Sequence, residues 1–129
     1  YEVPFLAHAC MEPMNATAHF KGDSVEIWAP TQAQSWNQHW VAQLTGLKPE
    51  AITIHTTYLG GGFGRRLESD YVVEAVETSR AAGNLPVKVI IVESDAGTPT
   101  RRISAISVRA SSILSVSTYV APRVRCAST

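Results

Sequence analysis

No apolar run in this 129-residue chain approaches the ~18 residues that a membrane-spanning helix requires. Excess charge is missing too: eleven Lys and Arg stand against eleven Asp and Glu, so no basic surplus exists to hold a nucleic-acid backbone. Cysteine is scarce, with only Cys10 and Cys126, far apart. Without a Cys-x2-Cys or ferredoxin-type spacing, no iron–sulfur cluster is expected on this chain. His8-x-Cys10 is half a zinc site at best, and its plainer reading is a buried thiol near a loop. Residue 1 is Tyr rather than Met, and Tyr1-Glu2-Val3-Pro4 reads as the middle of a longer chain, so a processed or excised piece is expected and no compartment is read. What is present suits one globular domain with a real core: 45% hydrophobic and 17% charged residues.

The most distinctive stretch is Leu59-Gly60-Gly61-Gly62-Phe63-Gly64-Arg65-Arg66. Its glycines permit positive φ and close approach to another molecule. Ile52-Thr53-Ile54-His55-Thr56 before it reads as a strand, and residues 69–82 after it read as a helix. Strand, glycine turn and helix start together form a geometry in which backbone N–H groups converge on an anion. A plain turn is the simpler alternative. The stretch is not a dinucleotide fingerprint, because Arg65 occupies the third glycine position, and no Lys-Ser/Thr follows for a phosphate-binding P-loop. An aromatic between glycines with two arginines beside it points instead to a polyanionic, partly planar ligand.

Along the chain, residues 16–20 and 24–28 read as two strands joined at Lys21-Gly22-Asp23, with Val25 and Ile27 on one face and Glu26 and Trp28 on the other. Thr31 is a candidate N-cap for a helix over 32–45, where Trp36, Trp40, Leu44 and Leu47 make one apolar stripe, expected in the core. Met11 and Met14 are expected in the core as well. Gly46 stops that helix, and Pro49 blocks its continuation. The second helix, 70–82, is capped by Ser69 or Asp70, turns Val72, Val73, Val76 and Ser79 inward, and ends at Gly83. Residues 87–92 form a buried strand. The order β-β-α-β-loop-α-β predicts an α+β unit with both helices on one face of a mixed sheet.

Composition changes near residue 94. Residues 1–93 carry six Lys/Arg and ten Asp/Glu, whereas residues 94–129 carry five Arg and only Asp95. The division is therefore 1–95 as the domain segment and 96–129 as a divergent Ser/Arg-rich tail. That tail reads either as edge strands over 103–120 or as non-native sequence from a fusion or frame shift.

Taken in order, Val3-Pro4-Phe5-Leu6-Ala7-His8, Met11-Glu12-Pro13, Trp28-Ala29-Pro30-Thr31-Gln32 and the glycine stretch resemble the molybdenum-binding subunit of the xanthine oxidase and aldehyde oxidoreductase family. The closest subgroup is the isoquinoline 1-oxidoreductase β-subunit type, and the likeness covers roughly residues 1–95. It implies a segment of a larger molybdopterin-binding domain, with the cofactor in its cytosine dinucleotide form. Gln32 would be the catalytic residue, its side-chain amide donating to an oxygen on molybdenum. Gly62, Phe63 and Gly64 would approach the cofactor by their backbone, with the N–H groups of Phe63 and Gly64 as donors, and Arg65 would reach the pterin or its phosphate. No residue here is assigned as a metal ligand.

The family's reaction hydroxylates an electron-poor carbon of an N-heterocycle or aldehyde with oxygen from water, electrons leaving through iron–sulfur clusters. The resemblance thus implies a small iron–sulfur subunit and the remainder of the large subunit as partners. The family's general base is a downstream Glu, and Glu12, Glu68 and Glu93 match no such motif, so the isolated chain is expected to be inactive. Two other readings stand beside this one: a small phosphate- or nucleotide-binding module resting on the glycines and Arg65-Arg66, and a ligand-free structural remnant.

Overall fold

The computed structural model describes residue 8, residues 10–93 and, as backbone, strands at 101–109 and 112–119. The motif at residues 3–7 and the other residues of the tail lie outside the described residues. Strands β1 (Met14–Phe20) and β2 (Val25–Ala29) pair antiparallel across a turn that Gly22 makes possible with φ 94°. Helix α1 (Gln34–Thr45) and a 3-10 turn at Pro49–Ala51 then carry the chain to β3 (Ile52–Thr56), which lies parallel to β2. After the glycine stretch and a second 3-10 turn (Arg65–Leu67) comes α2 (Asp70–Ala81), followed by β4 (Val87–Glu93), antiparallel to β1. Strands β5 (Arg101–Arg109) and β6 (Ser112–Tyr119) extend the sheet beyond β4 in the order β3-β2-β1-β4-β5-β6. One parallel pair among antiparallel ones makes the sheet mixed, as expected.

Alternation decides which face is buried. Ala16, Ala18, Val25, Ile27, Ala29, Ile52, Ile54, Val87, Val89 and Ile91 form one face, covered by Val41 of α1 and by Tyr71, Val72, Ala75 and Val76 of α2. Helix α1 lies against β3 and α2 against β1 and β4, and the helices touch each other, so both sit on the same face. Small Ala16 and Ala18 let α2 come close to the middle of the sheet. Ser79, fully buried, joins α2 to two neighbours: its hydroxyl accepts the Phe20 N–H at 3.0 Å and donates to the Leu85 carbonyl at 2.6 Å.

Three expectations fail here. The tryptophans of the stripe are not on the inward face of α1, although Leu44 and Leu47 do pack against the core: Trp36 and Trp40 are 54% and 42% exposed, and the buried residues are Asn37 and Val41. One residue along a helix is about 100° of rotation, so the true face is one position further on. The turning element is Asn37, whose amide donates to the Thr31 hydroxyl at 2.5 Å; a polar side chain with such a partner can enter the core. The tryptophans instead gather with His39 on the surface, ring centroids 5.9–6.1 Å apart. Met11 is 94% exposed, while Met14 is in the core as expected. Thr31 is not the N-cap either. Ala33 holds that position without a side-chain bond, and the Thr31 hydroxyl accepts the Ala33 N–H at 3.0 Å one turn earlier.

Candidate functional site

The strand directions bring three separate segments to one end of the sheet. Because β2 and β3 are parallel, with Ala29 opposite Thr56, the stretches that follow them leave side by side. The Thr57 N–H donates to the Ala29 carbonyl at 3.2 Å. Strand β1 runs the other way, so the segment leading into Met14 starts at that same end. Residues 10–13, 30–33 and 57–66 therefore meet.

In the glycine loop, the Arg65 N–H donates to the Gly62 carbonyl at 2.8 Å, closing a tight turn whose central residues Phe63 and Gly64 have φ 49° and 89°. Two positive φ values in succession mark a type I′ turn, which ordinarily wants Gly, Asn or Asp at the first central place. Phe63 holds that place instead. Its ring is 72% exposed and lies over Gly61, where an added Cβ would sit 3.0 Å from Cε2 of the ring. Among the described residues, the N–H groups of Gly62 and Phe63 have no hydrogen-bond acceptor.

Gln32 lies against this turn. Its backbone N–H donates to the Arg66 carbonyl at 3.2 Å, and its side-chain Oε1 accepts the Gly64 N–H at 3.1 Å. The Gly64 donor, expected to face a ligand, is thus used within the chain. Its effect is to choose which end of the Gln32 carboxamide looks outward: with Oε1 engaged, Nε2 is left as a donor. Beside Gly64 nothing lies within 4 Å of where a Cβ would stand, so that flank is open.

The two arginines have different fates. Arg65 grips Asp70, the first residue of α2, with two bonds of 3.0 and 2.8 Å. Arg66 is fully buried. Its Nε donates to the Gly61 carbonyl at 2.7 Å, and Nη2 donates to the Glu12 carbonyl and carboxylate at 3.0 and 2.8 Å. Nη1 makes a longer contact of 3.5 Å to the Pro30 carbonyl, which also accepts from the Tyr71 hydroxyl at 3.2 Å.

Glu12 in turn accepts the Gly60 N–H at 2.7 Å and the Asn15 amide at 2.9 Å. Burial pushes the Glu12 carboxyl up, but the Gly60 N–H, the Asn15 amide and the charges of Arg66 and Lys88 outweigh it, so Glu12 titrates below its ordinary range. Burial also raises the Tyr71 phenol above its usual value, keeping it a neutral donor. The Cys10 thiol rests 3.6 Å from the Gly62 carbonyl, on the inner side of the same loop.

Gln32, Gly62, Phe63 and Gly64 are therefore together, as the sequence suggests, and Arg65, in the 3-10 turn that follows, reaches Asp70 at the start of α2. Glu12, Thr31, Asn37 and Tyr71 complete the site and had not been singled out for it, while Arg66, which could equally with Arg65 have been expected to reach a phosphate, is buried instead. Glu12 carried a signal, standing before Pro13 in a loop, but nothing local pairs it with an arginine 54 positions away. Among the described residues no cluster of three His, Cys, Asp or Glu could hold a metal ion directly. The site offers outward N–H donors and an open glycine flank. Such donors are of the kind that anionic ligands accept from; a Cβ at Gly64 would enter the open flank, whereas one at Gly62 would meet the Gln32 side chain.

A glycine turn set beside a carboxamide at one end of a mixed α+β sheet is the arrangement that the site presents. Comparison with known proteins names the family: the molybdopterin cofactor-binding domain matches residues 1–111, and the chain belongs to it. The isoquinoline 1-oxidoreductase subunit beta of Brevundimonas diminuta is 41% identical over 88 residues, 67% of this chain and 11% of that protein. The membrane-bound aldehyde dehydrogenase [pyrroloquinoline-quinone] of Gluconacetobacter polyoxogenes is 38% identical over 95 residues, 74% of this chain and 12% of that one.

The chain thus spans about one-eighth of the length of these relatives and is a segment of such a domain. Solved structures agree on the fold. Quinoline 2-oxidoreductase from Pseudomonas putida 86 superposes with a TM-score of 0.57 at 23% identity, over 77% of this chain and 14% of that one. The Cu,Mo-CO dehydrogenase superposes at 0.58 and 21%, over 81% and 15%. Among the described residues no helix is long and apolar enough to cross a membrane.

Proposed function

We propose that this segment forms one wall of the molybdenum-cofactor cradle in the large subunit of an oxidoreductase that hydroxylates an N-heterocycle or an aldehyde. The observation that carries it is the Gln32 carboxamide, whose Oε1 is taken by the Gly64 N–H so that Nε2 remains a donor, beside the Gly62 and Phe63 N–H groups that have no acceptor among the described residues. In this reading Gln32 donates to an oxygen on the metal, and Phe63 and Gly62 supply backbone donors. Gly64 sets the carboxamide and keeps its own flank open, and Arg65, braced by Asp70, forms the cationic rim near the pterin. When bound, the cofactor supplies two-electron redox chemistry, with water as the source of the inserted oxygen. The chain's own part is to bind, orient and shield. The resemblance supports the cytosine dinucleotide form, iron–sulfur clusters on a small partner subunit, and a general base elsewhere in the large subunit.

A small phosphate-binding module fits less well, because it rested on Arg65 and Arg66 together, and Arg66 is buried against Glu12. One relative's name carries pyrroloquinoline quinone, which makes metal analysis the deciding measurement. Purified full-length protein should contain molybdenum in a fixed ratio. Gly64→Ala should lose it, because φ 89° strains any L residue by ~1–3 kcal/mol and the new methyl enters the open flank. Phe63→Leu should keep it, since the backbone makes the contact. Equal metal in both variants and wild type would reduce the loop to a turn. Quinone without molybdenum would assign the cradle to another cofactor.

A further inference from the structure

We propose that the ion pair between buried Arg66 and half-buried Glu12 is a positioning clip that assembles the cradle before any cofactor arrives. The inference rests on the reading above and concerns how its site is built. Among the described residues, Arg66 hydrogen-bonds to all three converging segments. Its guanidinium donates to Glu12 in the first, to Pro30 in the second and to Gly61 in the third. Its carbonyl accepts the N–H of Gln32 at 3.2 Å and the hydroxyl of Thr31 at 3.3 Å.

Glu12 closes the ring from the other side. It accepts from Gly60 at 2.7 Å, and its own N–H donates to the Gly60 carbonyl at 3.1 Å. A Cβ on Gly60 would fall within 2.4 Å of Glu12 Cβ, so the loop is seated on this residue. Arg66 and Glu12 act through Gln32 and the glycine backbone.

The geometry explains why the pair is tolerated in a desolvated place. A buried ion pair repays its desolvation only when nearly all its donors and acceptors are satisfied, and leaving one member alone is strongly unfavourable. Here the guanidinium nitrogens meet three carbonyls and a carboxylate, each on a different stretch of chain or on Glu12 itself. The arrangement exists only when all three segments are in place, and this ties the angle of Gln32 to the seat of the glycine turn. An arginine is required, because a lysine ammonium cannot span Gly61, Pro30 and Glu12 at once.

The test uses full-length protein in two arms. In the first, cofactor-free protein is prepared from cells grown without molybdate, and hydrogen exchange is followed by mass spectrometry on peptides covering 57–64 and 30–33. Peptides holding the Gly60 and Gln32 amides should exchange as slowly as in the loaded protein. Fast exchange without cofactor and slow exchange with it would mean that the ligand assembles the cradle, and the proposal falls. Fast exchange in both states would overturn it too.

In the second arm, Arg66→Lys should lower molybdenum per folded protein at least tenfold, a loss counted only in the folded fraction so that any fall in melting temperature is separated from it. Glu12→Gln should speed exchange in 57–64 without affecting peptides from β1 and β4. A lower melting temperature with molybdenum unchanged would make the pair merely structural. Should Arg66→Lys fail to fold, Glu12→Gln and the first arm decide. Molybdenum missing from the wild type would defeat the functional reading instead, and the exchange result would still judge the clip.

Discussion

Gly62 and Gln32 touch so closely that a Cβ on the glycine would stand 2.5 Å from Oε1 of the glutamine. The residue nearest the proposed donor therefore has no side chain because the donor occupies that volume. Gly62 has no positive φ to protect, unlike Gly61 and Gly64.

Gly62→Ala should therefore displace Gln32 rather than strain the backbone. The group displaced is the end of a flexible side chain, so the stability cost should stay below about 1 kcal/mol. Turnover of the full-length enzyme should nevertheless fall to the level of Gln32→Ala, with molybdenum retained in both. Steady-state kinetics together with metal analysis checks this, and a Gly62→Ala enzyme as active as wild type would remove Gln32 from the mechanism.

Ser79→Ala isolates a structural contact far from the cradle. It leaves the Phe20 N–H and the Leu85 carbonyl without their partner in a buried place. The expected loss is about 1–3 kcal/mol, with faster exchange of peptides holding the Phe20 amide and no change in the loop at 57–64.

Tyr71→Phe tests the support beneath Gln32. The Pro30 carbonyl would lose its 3.2 Å donor and keep only the 3.5 Å contact from Arg66. A cost of about 0.5–1.5 kcal/mol is expected in chemical denaturation, together with faster exchange in peptide 30–33.

The pH dependence follows from Glu12. Its folded-state pKa lies below the ordinary value near 4.5, so its contribution is fully present above that pH and is lost as pH falls through the depressed folded value. Denaturation of wild type and Glu12→Gln should differ by a constant amount from pH 5 to 7 and converge in more acid solution. A difference that grows on acidification would contradict the assigned pairing.

Much of the fold was legible because its causes are local. Alternation over 24–28 assigned strand faces, 16–20 and 87–92 read as strands, Gly22 and Gly46 marked a turn and a helix end, and Val72, Val76 and Ser79, though not half-buried Val73, marked the inward side of α2. The glycine stretch and Gln32 were legible for the same reason, since each carries its signature within a few residues. The rotation of α1 was not. Trp36 and Trp40 outweigh Asn37 on any hydrophobicity pattern, yet Asn37 is inside because Thr31 meets its amide there.

Local pattern determined which stretches of this chain become strands, helices and a glycine turn, because period and backbone freedom are properties of neighbouring residues. Tertiary structure alone decided that Arg66 goes inward to Glu12 while Arg65 turns to Asp70, and that Gly64 holds the oxygen end of Gln32. Adjacent arginines look alike in sequence. Which of them can be buried depends on whether carbonyls and a carboxylate from distant segments arrive to replace its water.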